Sequence, residues 1–224
     1  MESDGVKRVA IDQTSRIRKQ IVRMFHLFTV GCLLTTSPNL AQQKPNAELI
    51  DILSVNPTIV LDIRYATENN FTHHKLYPVV KCMLRREAAE SLSAVQKELK
   101  ARGLGLKVFD GYRPLSIQKK LWEAMPDERY VANPAKGSRH NRGAAVDLTI
   151  IDSLGNEIKM PTPYDDFTVK AHCGYMKLPN SVLKNRALLE QVMNRHGFLP
   201  MSTEWWHFDF QRWRRFEILD QPLE

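Results

Sequence analysis

Two histidines, two acids and an arginine, spread over three segments of a 224-residue chain, are the residue types that hold a metal ion and hydrolyse a bond beside it. The segment 138–149 carries His140 and Asp147, seven places apart, with Asn141, Arg142 and Gly143 between them. On a straight strand that odd spacing would turn the two side chains to opposite faces. The Asn-Arg-Gly turn removes the objection. Beyond it, alternation puts Ala145, Asp147 and Thr149 on one small, polar face and Val146, Leu148 and Ile150 on a core face. Asp147 is therefore expected to point outward, away from the core. Taken alone, the segment also reads as a hairpin with a surface Asp and a turn His.

The segment 204–210 reads Glu-Trp-Trp-His-Phe-Asp-Phe, and strand alternation gives Trp206, Phe208 and Phe210 one face and Trp205, His207 and Asp209 the other. Glu204 stands at the strand entrance, where a twist or bulge can bring its carboxylate beside His207. Imidazole and carboxylate are good zinc ligands, and a catalytic zinc takes three protein ligands and keeps one position open for water. A hydrolase also needs a carboxylate beside the metal, not bound to it, to take a proton from that water. Two His, one ligand Asp and one spare Glu make that set. A lone Glu-Trp-Trp-His is equally an aromatic core strand with a satisfied histidine. The third segment, 108–114, ends in Asp110, Gly111, Tyr112, Arg113 and Pro114. A planar guanidinium held after a strand and before a proline suits a carboxylate or a developing oxyanion. Its structural alternative is a salt bridge to Asp110.

The elements that must position these residues are legible at low resolution. Residues 48–54 form a short apolar segment, and 57–65 alternate as a strand. Ala88, Leu92, Val95 and Leu99 recur at helical spacing within 85–102, and Gly103 follows as a terminator. A buried strand is expected over 104–109 and a second helix over 115–125, opening after Pro114. The Pro-, Asn- and Gly-rich stretch 126–143 reads as a loop, 144–151 as a strand, 183–196 as a third helix stopped by Gly197, and 204–210 as the last strand. The strands are short and lack the rhythm of a doubly wound sheet, so a single small α+β domain with a central antiparallel sheet is expected.

Composition narrows the class further. Six of the 32 Lys/Arg and three of the 25 Asp/Glu lie in residues 1–41, leaving the remainder at net +4 of the total +7. That mild surplus forms no basic stripe, which argues against a nucleic-acid partner. Residues 1–41 run from a basic stretch ending at Arg23, through a mostly apolar Met24–Leu34, to a small and polar exit at Ala41. This is the order of a secretory signal, and the apolar run is shorter than the ~20 residues of a spanning helix. An exported, periplasmic protein is expected, with no stable membrane insertion after the signal is removed and a catalytic domain over 42–224. Cys32 would leave with the signal. Cys82 and Cys173 sit in no Cys/His cluster and can pair in an oxidising compartment.

Taken together, the motifs resemble a known family. The order Asp-Gly-Tyr-Arg-Pro, then Ser138-x-His140-x-x-Gly143-x-Ala145-x-Asp147, then Glu204-Trp-Trp-His207-Phe, is similar to that of the zinc D-alanyl-D-alanine dipeptidases, and the likeness runs from about Asp62 to Phe210. The resemblance implies one zinc per chain on His140, Asp147 and His207, with Glu204 as general base and Arg113 stabilising the oxyanion. It implies substrate contacts from Tyr65 and Ser138. An acid for the substrate ammonium falls on Asp165, in the segment 160–165, with Asp166 adjacent and open as an alternative. The implied fold is a small α+β domain with the zinc cleft on the antiparallel sheet and helices on its other side. The implied substrate is a small dipeptide. A zinc D,D-carboxypeptidase or peptidoglycan endopeptidase shares the metal motif and is the nearest rival. A non-catalytic zinc-containing wall-binding module would have no use for both Glu204 and Arg113.

Overall fold

The computed structural model describes residues 48–224, so the expected export segment and Cys32 lie outside the described residues. A five-stranded sheet forms the centre, in the order β2 (Val60–Leu61), β4 (Gly105–Asp110), β5 (Ala145–Ile151), β7 (Glu204–Phe210) and β6 (Phe198–Met201). All its pairings are antiparallel except that of the two-residue edge strand β2, which runs parallel to β4. A separate antiparallel pair joins β1 (Leu49–Asp51) to β3 (Met83–Arg85). The helices are the single turn α1 (Ile52–Val55), α2 (Arg86–Lys100), α3 (Leu115–Ala124) and α4 (Asn180–Arg195). None of the described helices is long and apolar enough to cross a membrane.

Helix α2 forms where the apolar stripe predicts it. Ala88, Leu92, Val95 and Leu99 are all fully buried, and each large side chain removed from water contributes about 1.5–3 kcal/mol. Ser93 and Gln96 share that stripe and are bonded, Ser93 Oγ accepting from Asn56 Nδ2 at 3.1 Å. Gln96 accepts from Leu106 N (2.7 Å) and donates to Thr58 O (2.9 Å), which ties α2 to the start of β4. Gly103 takes φ +71°, the left-handed conformation that ends helices. Helix α4 starts at Asn180 after Pro179, earlier than the apolar periodicity, because its first turn is polar and Val182 is its first buried residue.

Three expectations need correction. Of the strand expected over 57–65, only Val60–Leu61 pairs, and Arg64–Ala66 forms a 3-10 turn instead. Arg64 lies over the Phe109 ring at 4.7 Å, and that tertiary contact overrides the local alternation. Strand β6 was not anticipated. It contains Pro200, which an edge strand tolerates. Finally, β5 is buried along its whole length. Leu106, Val108, Val146, Leu148, Ile150 and Phe208 are packed into the core face, with α2 against β4 and α4 against β6. The Asp147 face is not open surface. It is the floor of a covered cleft.

Cys82 and Cys173 are both free. Cys82 lies directly beneath Gly111, where a Cβ would come within 2.4 Å of its sulfur. Gly143 is a second tight point near the cleft. It has φ +64°, and a Cβ there would meet Leu49 Cδ2 at 2.5 Å and Arg85 N at 3.3 Å. Gly143→Ala should therefore lower stability by on the order of 2–4 kcal/mol, from left-handed strain plus overpacking. Denaturant unfolding checks this, and a loss below about 0.5 kcal/mol would show that the turn relaxes freely.

Candidate metal centre

The register of β5 on β7 sets Asp147 directly opposite His207, so their side chains stand on the same face. His140 comes from the 3-10 turn His140–Arg142 that precedes β5, closed by Gly143. The three side chains converge. His140 Nε2 lies 3.1 Å from His207 Nδ1 and 3.4 Å from Asp147 Oδ1, and His207 Nδ1 lies 3.0 Å from Asp147 Oδ1. All three residues are buried.

That triangle fits a zinc ion on two independent grounds. Tetrahedral ligands at the 2.0–2.1 Å of zinc–nitrogen and zinc–oxygen bonds stand about 3.3 Å apart, close to the three edges found. The protons also point away from the centre. His140 Nδ1 is 2.7 Å from Gly111 O, and His207 Nε2 is 2.9 Å from Asp209 Oδ1. Both partners accept only, so each ring's outer nitrogen carries the proton and the inner one presents a lone pair. Asp147 Oδ1 is buried without a hydrogen bond of good geometry, while Tyr164 donates to its Oδ2 at 3.0 Å. Three lone pairs facing one another call for a cation. The same demand acts on His207: burial pushes its pKa down, but Asp147 and Asp209 outweigh burial and raise it to about 10.

Around the triangle lies a pocket of ≈ 150 Å³. Glu204 enters it from the first position of β7, with Oε2 3.9 Å from His207 Nδ1. It is outside the ligand triangle. Burial pushes its carboxyl up to about 7, with His207 opposing and Asp147 reinforcing that rise. Arg113 lines the pocket and is also paired to Asp110, the structural alternative read from the sequence. Its Nε and Nη2 donate to Asp110 Oδ2 at 3.1 and 2.7 Å, and its Nη1 donates to Gln118 Oε1 at 2.8 Å. Tyr77 donates to Asp110 Oδ1 at 2.8 Å. These bonds engage three of the five guanidinium N–H groups. The other two remain to meet a ligand.

Tyr65, Ser138 and Asp165 also line the pocket. Tyr65 stacks against Arg113 (5.1 Å) and points its hydroxyl at Asp165 Oδ2, 3.5 Å away. The two neighbouring acids differ in placement. Asp165 faces the pocket, whereas Asp166 turns away and accepts from Thr168 N at 2.9 Å. Asp165 adopts φ +58°, a left-handed conformation that Asp tolerates better than most residues. Burial, then Asp147, hold its carboxyl well above the usual range.

Sequence reasoning missed Tyr164, Asp209 and Asn141. Tyr164 holds the outer oxygen of Asp147. Asn141 is fully buried and accepts from Ser138 N (2.7 Å) while donating to Arg113 O (2.8 Å), so it locks the His140 turn to the arginine. Only Asp209 left a trace, through its place two residues from His207 on one strand face.

The profile of the D-ala-D-ala dipeptidase family of peptidases matches residues 45–219. The chain belongs to that family. D-alanyl-D-alanine dipeptidase of Escherichia coli is 34% identical to it over 172 residues, covering 77% of this chain and 89% of the relative. D-alanyl-D-alanine dipeptidase of Enterococcus faecalis is 29% identical over 182 residues, covering 72% and 86%. Among solved structures, VanYB in complex with D-alanine-D-alanine aligns at a TM-score of 0.41 with 18% identity, over 59% of this chain and 74% of that one. As a member of this family the chain is an enzyme, a metallopeptidase.

The Asp110–Arg113 pair is enclosed in the family member's core, with Asp110 fully buried. Asp110→Asn leaves a buried guanidinium without its counter-charge and should cost about 3–5 kcal/mol of stability. Thermal or urea unfolding measures it. A loss under about 1 kcal/mol would mean that Arg113 is neutralised by other groups.

Proposed function

We propose that this enzyme hydrolyses D-alanyl-D-alanine to free D-alanine, using one zinc ion held by His140, Asp147 and His207. The observation that carries the reading is the spare carboxylate: Glu204 stands beside the ligand triangle, outside it, and burial lifts it towards neutral pH. A structural zinc site would be closed by a fourth ligand, and a wall-binding module would need no base. The names of the relatives support the substrate.

When bound, the metal supplies a polarised water and a Lewis acid for the scissile carbonyl. Glu204 takes the proton from the attacking water and returns it to the leaving amine. The two remaining N–H groups of Arg113 meet the developing oxyanion, held in place beforehand by Asp110 and Gln118. Asp165 receives the substrate ammonium and Ser138 contacts the substrate from the His140 turn. A pocket of ≈ 150 Å³, below the ~300–1,000 Å³ typical of drug-sized ligands, favours a dipeptide over the open groove of a carboxypeptidase or endopeptidase.

A panel of variants tests these roles. Glu204→Ala should keep zinc and lose ~10²–10⁴-fold in turnover, whereas His207→Ala should lose the metal. Metal analysis beside a D-alanine release assay separates the two. Equal zinc loss in both would make Glu204 a ligand, and full activity without Glu204 would end the mechanism. Asp165→Asn should impair the free dipeptide while sparing substrates blocked at the amino end.

Export through residues 1–41 completes the proposal, supported by the basic, apolar, small order of that segment. The intact mass of protein from the periplasmic fraction should lack roughly the first forty residues. Full-length chain confined to the cytosol would rule this out.

A further inference from the structure

His207 is held from behind by a group that the reaction itself does not use. Its Nε2 lies 2.9 Å from Asp209 Oδ1, two residues along the same strand. The other carboxylate oxygen of Asp209 lies 3.3 Å from Arg139 Nε. The Arg139 guanidinium in turn sits 4.7 Å from the centre of the Trp213 ring, in the 3-10 turn Trp213–Arg215 just beyond β7. Arg139 immediately precedes His140 in sequence. The turn that supplies one metal ligand therefore also tethers the orienting group of another.

We propose that Asp209 is a positioning residue for His207, and that Arg139, braced on Trp213, acts through Asp209. The inference rests on the zinc-peptidase reading above. An ionised carboxylate can only accept a hydrogen bond, so Asp209 keeps the imidazole proton on Nε2 and leaves the Nδ1 lone pair facing the metal. Without it, a neutral imidazole can take the other tautomer, which would aim an N–H at the ion. Arg139 faces the opposite oxygen as an ion-pair partner at 3.3 Å, without a hydrogen bond of good geometry, and so links the charge behind His207 to the turn bearing His140. Asp209 is partly exposed on the rim, with Ala145 opposite it on β5. An isosteric replacement there opens no cavity, so the effect on the metal can be separated from an effect on the fold.

The test uses the mature chain with Asp209→Asn, Arg139→Gln and the double variant. Zinc affinity is measured by competition with a chromophoric chelator, and melting is followed without metal. Asp209→Asn should weaken zinc ~10–100-fold while the metal-free melting temperature stays within about 2 °C. Arg139→Gln should lose less, and the double variant should match Asp209→Asn alone, because the substitution keeps the backbone of the His140 turn and the proposed path of the Arg139 side chain runs through Asp209. In the zinc-loaded wild type the His207 Nε2–H proton should appear far downfield, and it should move upfield in Asp209→Asn. Zinc affinity within twofold of wild type would overturn the proposal, as would multiplied losses in the double variant. A metal-free melting temperature that collapses in Asp209→Asn would make the role structural. If that variant does not fold, Arg139→Gln carries the test, and unchanged zinc affinity there refutes the relay. A wild type that binds zinc but leaves D-alanyl-D-alanine intact would sink the proposed function and leave this metal test standing.

Discussion

The register of β5 against β7 is the constraint on which the site depends, because it makes Asp147 and His207 direct cross-strand partners. A slip of one residue would turn one of them to the core face, among Val146, Leu148 and Phe208, and leave the other without its partner. The register is held from both sides. The core-face side chains allow only one alignment of apolar surface. On the cleft face, Tyr164 binds the outer oxygen of Asp147 and Asp209 binds the outer nitrogen of His207. His140 is added by a turn that Gly143 alone can close at φ +64° against Leu49 and Arg85.

Charge is partitioned within the small pocket. The Asp110–Arg113 pair is enclosed, with Tyr77 and Gln118 completing its hydrogen bonds, so the guanidinium is set before any ligand arrives. Burial lifts Glu204 and Asp165 above their ordinary range, whereas the two histidines outweigh burial and hold Asp147 below its own. Three carboxylates in one cleft are thus pushed in different directions by what surrounds them. Under the proposed mechanism, that separation would let Glu204 accept a proton while Asp147 remains an anion at the His/Asp/His triangle.

Burial of both sheet faces has a further effect. A cleft floor on a strand exposed to water would be screened and plastic. Here the floor belongs to a strand buried along its whole length, where side chains are held by packing and electrostatic interactions are stronger than in solvent. The ligands are therefore close to their working positions in the polypeptide itself.

The sequence alone determined everything with a local physical signal. The helical stripe of α2, the terminating glycines and the β7 alternation are short-range patterns. So are the His140–Gly143–Asp147 and Glu204–His207 spacings, and the arginine locked before Pro114. Each needs only neighbouring residues to be recognised, and together they carried the family, the α+β class and the three side chains that converge in the cleft. Tertiary structure decided what depends on contacts between distant segments. Tyr164 reaches Asp147 across 17 residues and Asp165 meets Tyr65 across 100. That Asp165 lines the pocket while Asp166 does not is likewise a matter of tertiary placement. Residues 57–65 alternate like a strand, yet packing of Arg64 on Phe109 turned most of them into a loop. Strand β6 and the buried polar hub Asn141 left no periodic trace, because an edge strand of four residues and one satisfied amide are specified by their partners, not by their neighbours in the chain.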